Sequence, residues 1–196
     1  MKLRYSPASP FARKVAIAGR VLGFADRIEM VDSDGDPGDV VRSRNPLNKV
    51  PLLLTDDGIA IFDSRVISEY LDHLAGGNRI LPTEPKARFQ ALTMQALADG
   101  IMEASVLVTY EGRWREPAQV STKWVAHQQK KVDTGVAALE ADLPGEGVDV
   151  GTIAVASALG YLDLRQEGLW RKSHPKLVAW LDGFAARVPA YGETAA

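Results

Sequence analysis

Ser9 precedes Pro10, the pattern of a helix N-cap followed by proline at the first helical position, and this sets a hydroxyl beside the positive end of a helix. Asp63 precedes Ser64 at the start of a second apolar period, so a carboxylate and a hydroxyl stand where unpaired helix N–H groups point. Such a corner suits an amino-acid zwitterion, whose carboxylate meets the N–H and hydroxyl donors and whose ammonium is drawn to Asp63. Taken alone, each pair is also what a plain helix cap requires. Val50-Pro51 opens a strand, as either an ordinary trans proline at an edge or a cis turn. Lys49, one residue earlier, offers a cation to an anionic ligand or a solvated loop side chain. Tyr5 offers a phenol that could donate into a cleft, or a ring that fills the core.

The elements that position these residues follow from periodicity. Lys2 to Tyr5 reads as a short strand ending in the turn composition Ser6-Pro7-Ala8. Phe11, Val15, Ala18 and Leu22 then mark one face of a helix, with Gly23 as its stop. Ile28 to Val31 predicts a second strand, followed by an exposed loop over Asp32 to Gly38. Leu52 to Thr55 and Ile59 to Phe62 form a hairpin around Asp56-Asp57-Gly58. Ile67, Tyr70, Leu71 and Leu74 give a second helix that ends at Gly76-Gly77. The order is βαβ-ββα.

The stretch from Gly76 to Pro85 has two glycines, two prolines and no period, and it divides the chain into a domain at 1–77, a linker at 78–85 and a domain at 86–196. The second domain reads as all-helical, broken at Glu116-Pro117, at Pro144 to Gly147 and near His174-Pro175. Residues 152–165 are apolar on nearly every face, which predicts a central buried helix with Thr152 as its N-cap. That frame puts Val155 at the third helical position. Leu177, Trp180, Leu181 and Phe184 form the buried stripe of the last helix, so His174 marks its start and takes no catalytic role.

Composition narrows the function. The chain has 196 residues, 46% hydrophobic and 24% charged, which suits a globular protein and argues against disorder or a fibre. A net charge of -2 gives no basic excess for nucleic acid or an anionic membrane. With no cysteine, disulfides, thiolate metal sites, iron–sulfur clusters and any mechanism using a protein thiol are excluded. No metal or nucleotide site is expected. The start MKLRYSP has no apolar signal core, and Gly151 to Leu162, the most continuous apolar run, is short of the ~20 residues a membrane span needs, so a cytoplasmic location is the default.

Ser9-Pro10-Phe11 with Arg13-Lys14, then Asn45 to Pro51 (NPLNKVP), then Asp63-Ser64, give the chain its resemblance to cytosolic glutathione S-transferases. Gly160-Tyr161-Leu162-Asp163, His174-Pro175 and Trp180 are similar to the family's C-terminal domain, so the resemblance covers nearly the whole chain. It implies a thioredoxin-like α/β N-terminal domain and an all-α C-terminal domain. It implies that Pro51 is cis, with the Val50 backbone groups facing out to pair with an extended peptide, and that Asp63-Ser64 holds the γ-glutamyl end of glutathione. Many members carry Gln or Glu where this chain has Asp63.

Ser9 then becomes the catalytic candidate. A thiol near pKa ~8.5 is acidified by hydrogen bonds to its thiolate and by a helix N-terminus. Tyr5 is the alternative, since other classes donate from a tyrosine near the end of the first strand. Lys49 would meet the glycine carboxylate of glutathione. Arg13 reads as a structural or surface charge. The second substrate would lie against the helical domain near Met102, Ser105, Tyr110 and Trp114. The family often has Asp where Val155 falls, which would complete a capping box.

The implied function is glutathione transfer to a small electrophile, with glutathione as co-substrate and no thiol-transferase route through a protein cysteine. Peroxidase or isomerase chemistry, or a non-catalytic binding module, are the alternatives. Family members are usually two-fold dimers, which implies a homodimer through the helix from Ser64 and the first long helix of the second domain.

Overall fold

Leu3 anchors the first strand, β1 (Lys2–Tyr5), as its one fully buried residue, and strands pair on both sides of it. In the computed structural model, which describes residues 1–33 and 40–195, β1 runs parallel to β2 (Glu29–Asp32) and antiparallel to β3 (Leu52–Leu54). β3 pairs antiparallel with β4 (Ala60–Ile61), giving the order β2-β1-β3-β4. Only a crossover can join a parallel pair. That crossover is α1 (Pro10–Val21), with Ser9 as N-cap and Pro10 at the first helical position.

Some boundaries differ from expectation for local reasons. β2 starts at Glu29 because Ile28 closes a 3-10 turn over Ala25–Arg27, its N–H bonding the Phe24 carbonyl at 3.1 Å. Thr55 and Ile59 belong to the hairpin turn: Gly58 N–H bonds the Thr55 carbonyl at 3.0 Å, and Ile59 N–H bonds the Thr55 hydroxyl at 2.8 Å. Gly58 has φ +85°, a left-handed conformation that suits glycine. Most of the loop expected over Asp32 to Gly38 lies outside the described residues. The five-residue helix α2 (Val40–Arg44) is too short to show a period in the sequence, and it buries only Val41.

The helix α3 (Ser64–Leu74) packs Ile67 and Leu71 with Val15 of α1 on the Leu3 face of the sheet. The segment after it is tied down rather than loose. The buried Asp72 carboxylate accepts from the N–H groups of Arg79 at 2.9 Å and Ile80 at 2.7 Å, and Ile80 and Leu81 enter the helical core.

The C-terminal domain contains α4 (Pro85–Trp114), α5 (Thr122–Ala141), α6 (Val150–Gln166), α7 (Pro175–Arg187) and α8 (Ala190–Glu193). By length and composition α4 could cross a membrane; it packs along α5 and α6 with Ala98, Met102 and Ser105 buried. Every residue of α6 from Val150 to Leu162 is buried.

The N-cap of α6 is a correction. Asp149, not Thr152, caps the helix, because its carboxylate accepts from both Gly151 N–H at 2.8 Å and Thr152 N–H at 2.9 Å. Thr152 is the third helical residue in place of Val155, and its hydroxyl accepts from the Asp149 N–H at 3.0 Å, completing a capping box. Helix α1 serves both cores, with Val15 in the sheet cluster and Ile17 and Ala18 in the helical one.

Candidate functional site

Strand register gathers the predicted residues at one end of the sheet. Arg4 pairs with Leu52 and Leu53 with Ile61, so the exit of β1, the entry of β3 and the exit of β4 lie side by side. Ser9 follows the first, Val50-Pro51 precede the second, and Asp63-Ser64 follow the third. The Val50–Pro51 bond is cis. Among the described residues, neither the N–H nor the C=O of Val50 has a hydrogen-bond partner. Asn45 shapes the loop before it, donating from Nδ2 to the Lys49 carbonyl at 2.9 Å and accepting from Leu47 N–H at 3.1 Å. Lys49 itself is exposed.

Asp63 caps α3 by accepting from Arg65 N–H at 2.9 Å, while Ser64 is buried at the first helical position. Behind them lies a buried ion network. Lys14 of α1 donates to Asp99 of α4 at 2.6 Å, both side chains being 1% exposed, and Arg65 Nε donates to the other Asp99 oxygen at 2.8 Å. Burial pushes the Lys14 ammonium below its ordinary value, with Asp99 and then Asp63 pulling it back. The bond to Asp99 raises Arg65. The cap corner is therefore braced from α1 and α4. Sequence reading missed this brace, because nothing in the spacing links position 14 to position 99.

Ser9 occupies the other side of the α1 N-terminus. Its Oγ accepts from Ala12 N–H at 3.3 Å, and its own proton has no acceptor among the described residues. A cavity of about 360 Å³ opens beside it, walled by residues 7–10, by Gly160 and Asp163 of α6, and by Tyr191 of α8. Arg13 also lines it. The Arg13 guanidinium donates from Nη2 to the Tyr191 carbonyl at 2.9 Å and lies 4.3 Å from the centre of the Tyr191 ring. Burial raises the Tyr191 phenol, and Arg13 opposes that shift.

Tyr5 is half-buried and does not line this cavity; the strand period of two puts it on the Leu3 face. Tyr110 and Trp114, at the end of α4, are 44% and 72% exposed and lie off the cavity as well. Helical spacing gave no indication of the wall from α6 and α8, which is formed only when α1 packs against α6.

Residues 8–74 match the glutathione S-transferase N-terminal domain, and residues 122–183 match its C-terminal domain. The GST-like protein YibF of Escherichia coli K12 is 34% identical over 95% of both chains. The chain belongs to the glutathione S-transferase family. A glutathione transferase family member from Pseudomonas fluorescens Pf-5, solved with bound glutathione, is 40% identical, covering 99% of this chain and 98% of that one, with a TM-score of 0.92. The same family member with bound S-(propanoic acid)-glutathione superposes with a TM-score of 0.88. The four-stranded mixed sheet and helical C-terminal domain are those of this family.

Proposed function

We propose that the protein is a glutathione transferase, which binds glutathione across the end of its sheet and directs the sulfur at a small electrophile held beside the helical domain. The observation that carries this reading is the register that gathers Ser9, Val50-Pro51 and Asp63-Ser64 at one sheet end. In it, residues 1–77 bind glutathione and residues 86–196 supply the second-substrate side. The unpaired Val50 backbone suits the extended tripeptide, Asp63 and the α3 N-terminus suit the γ-glutamyl zwitterion, and Lys49 suits the glycine carboxylate.

Ser9 is the thiolate-stabilising group. A hydroxyl can accept one hydrogen bond while donating another, so capping Ala12 leaves its proton for the sulfur. The α1 N-terminus adds its partial positive charge, and both lower a bound thiol's pKa. The serine makes no covalent bond. Tyr5 would take the role only by leaving its half-buried position. The relative bound to glutathione with a propanoic acid on its sulfur supports a small electrophile as the second substrate.

Three exposed apolar side chains on the expected interface helices, Val66 of α3 and Phe89 and Leu97 of α4, support a homodimer. Sedimentation at micromolar concentration should show twice the 21.2 kDa chain mass; a purely monomeric species would remove that part of the reading.

Calorimetric titration with glutathione, together with ultraviolet thiolate absorbance against pH, tests the whole. Wild type should bind, Ser64→Ala should lose binding, and Ser9→Ala should bind with the thiol pKa returned to that of free glutathione. No heat at millimolar glutathione would leave a transferase fold used for recognition alone. A lowered thiol pKa that persists in Ser9→Ala would reassign the role to Tyr5 or the backbone.

A further inference from the structure

We infer that the electrophile carries a carboxylate or a comparable anionic group, and that Arg13, held in the cavity beside Ser9 by Tyr191 and Gly160, is the residue that selects it. The inference rests on the transferase reading, and it follows from the cavity's charges. Among the described residues, two groups of formal charge line this space, Asp163 and Arg13.

Asp163 is fully engaged. Its Oδ1 accepts from Trp170 Nε1 and Arg171 Nε, each at 2.9 Å, and its Oδ2 accepts from Arg171 Nη2 at 2.6 Å. Arg171 thus neutralises it in a two-pronged pair. Arg13 has no carboxylate partner among the described residues. Its ties are the neutral carbonyl, the phenol hydroxyl and the aromatic face of Tyr191, and its Nε is buried without a partner. Neutral contacts orient a guanidinium without cancelling its charge. Among the described residues, the cavity therefore presents one cation that no carboxylate compensates, next to the hydroxyl proposed to face the sulfur.

The position is built rather than incidental. A Cβ on Gly160 would stand 2.1 Å from Arg13 Nη1 and 3.0 Å from the Tyr191 hydroxyl, so only a glycine lets the guanidinium lie against α6. The backbone of α6 and the ring of Tyr191 fix Arg13 on two sides. A planar, pre-oriented guanidinium suits a carboxylate better than a mobile ammonium would.

Iodoacetate and iodoacetamide separate the charge from the chemistry. In both reactions the glutathione sulfur forms a bond to carbon, the carbon–iodine bond breaks, iodide leaves, and the thiol proton passes to solvent. They differ in a carboxylate against an amide. The chain has no cysteine thiol to compete with glutathione for either probe.

Each kcat/KM is divided by its uncatalysed rate constant. Wild type should favour iodoacetate by about 10- to 100-fold, the range of a hydrogen bond to a charged group. Arg13→Gln should abolish that preference, with the loss in the KM for iodoacetate, and Arg13→Lys should restore part of it. Gly160→Ala displaces the guanidinium by a second route and should lower the preference as well, with circular dichroism confirming the fold of each variant.

Equal treatment of the two probes by wild type, or a preference untouched in both Arg13→Gln and Gly160→Ala, overturns the inference while leaving the transferase intact. Absence of catalysed turnover with either probe, alongside no calorimetric glutathione binding, overturns the transferase reading and this inference with it.

Discussion

Arg13 and Lys14 are neighbours in sequence and opposites in use. Successive helical residues point about 100° apart, so α1 sends one cation toward α6 and α8 and the other toward α4. Lys14 is 1% exposed and meets Asp99 at 2.6 Å, with Arg65 completing the network. Arg13 is half-buried, held by a carbonyl and a ring, and faces open space. The same charge at the same depth of chain is structural where a carboxylate cancels it and available to a ligand where none does.

The largest test breaks the Lys14 side. Asp99→Leu strands an ammonium in the interior and should cost about 3–5 kcal/mol in denaturant unfolding. The double variant Lys14→Met with Asp99→Leu removes both charges and should recover most of that loss. A double variant as unstable as the single one would mean that the pair is packing rather than charge.

The Arg13 side should respond differently. Gly160→Ala overpacks the α1–α6 contact and should cost about 1–3 kcal/mol, because a guanidinium can swing away as a buried pair cannot. If it costs as much as Asp99→Leu, Arg13 is as structural as Lys14. Asp149→Ala gives a scale for helix-end effects remote from α1: losing the capping box should cost about 1 kcal/mol, read as a shift in the urea midpoint.

The smallest effect is electrostatic. Hydrogen bonding from the Ser121 N–H, with help from Arg115, holds the Glu111 carboxyl below its ordinary 4.5. A depressed folded pKa gives stability that is present above 4.5 and fades as pH falls through the lower folded value. The Tm gap between wild type and Glu111→Gln should therefore narrow on going from pH 7 to pH 3. A constant gap would show that the charge is not what matters there.

How legible this was depended on how local each cause is. The caps at Ser9 and Asp63, the Gly58 turn and the breaks between helices were readable because each follows from two to four adjacent residues. The α6 cap is as local, but Thr152 offers a competing cap three residues after Asp149, and the sequence reading settles on the wrong one. Arg13 reads in sequence as a surface or structural charge, since its setting depends on Gly160 and Tyr191, 147 and 178 positions away. The Asp99 brace failed to show for the same reason. Sequence pattern finds what a residue does for its own helix; what it does for a distant one appears only after packing.

The double duty of α1 bears on how the molecule comes apart. Val15 belongs to the core under the sheet, and Ile17 and Ala18 to the core of the helical domain. Neither core can shed this helix without opening the other, so melting should be one cooperative event across the whole chain. Thermal unfolding by calorimetry would then trace a single peak whose van't Hoff and calorimetric enthalpies agree.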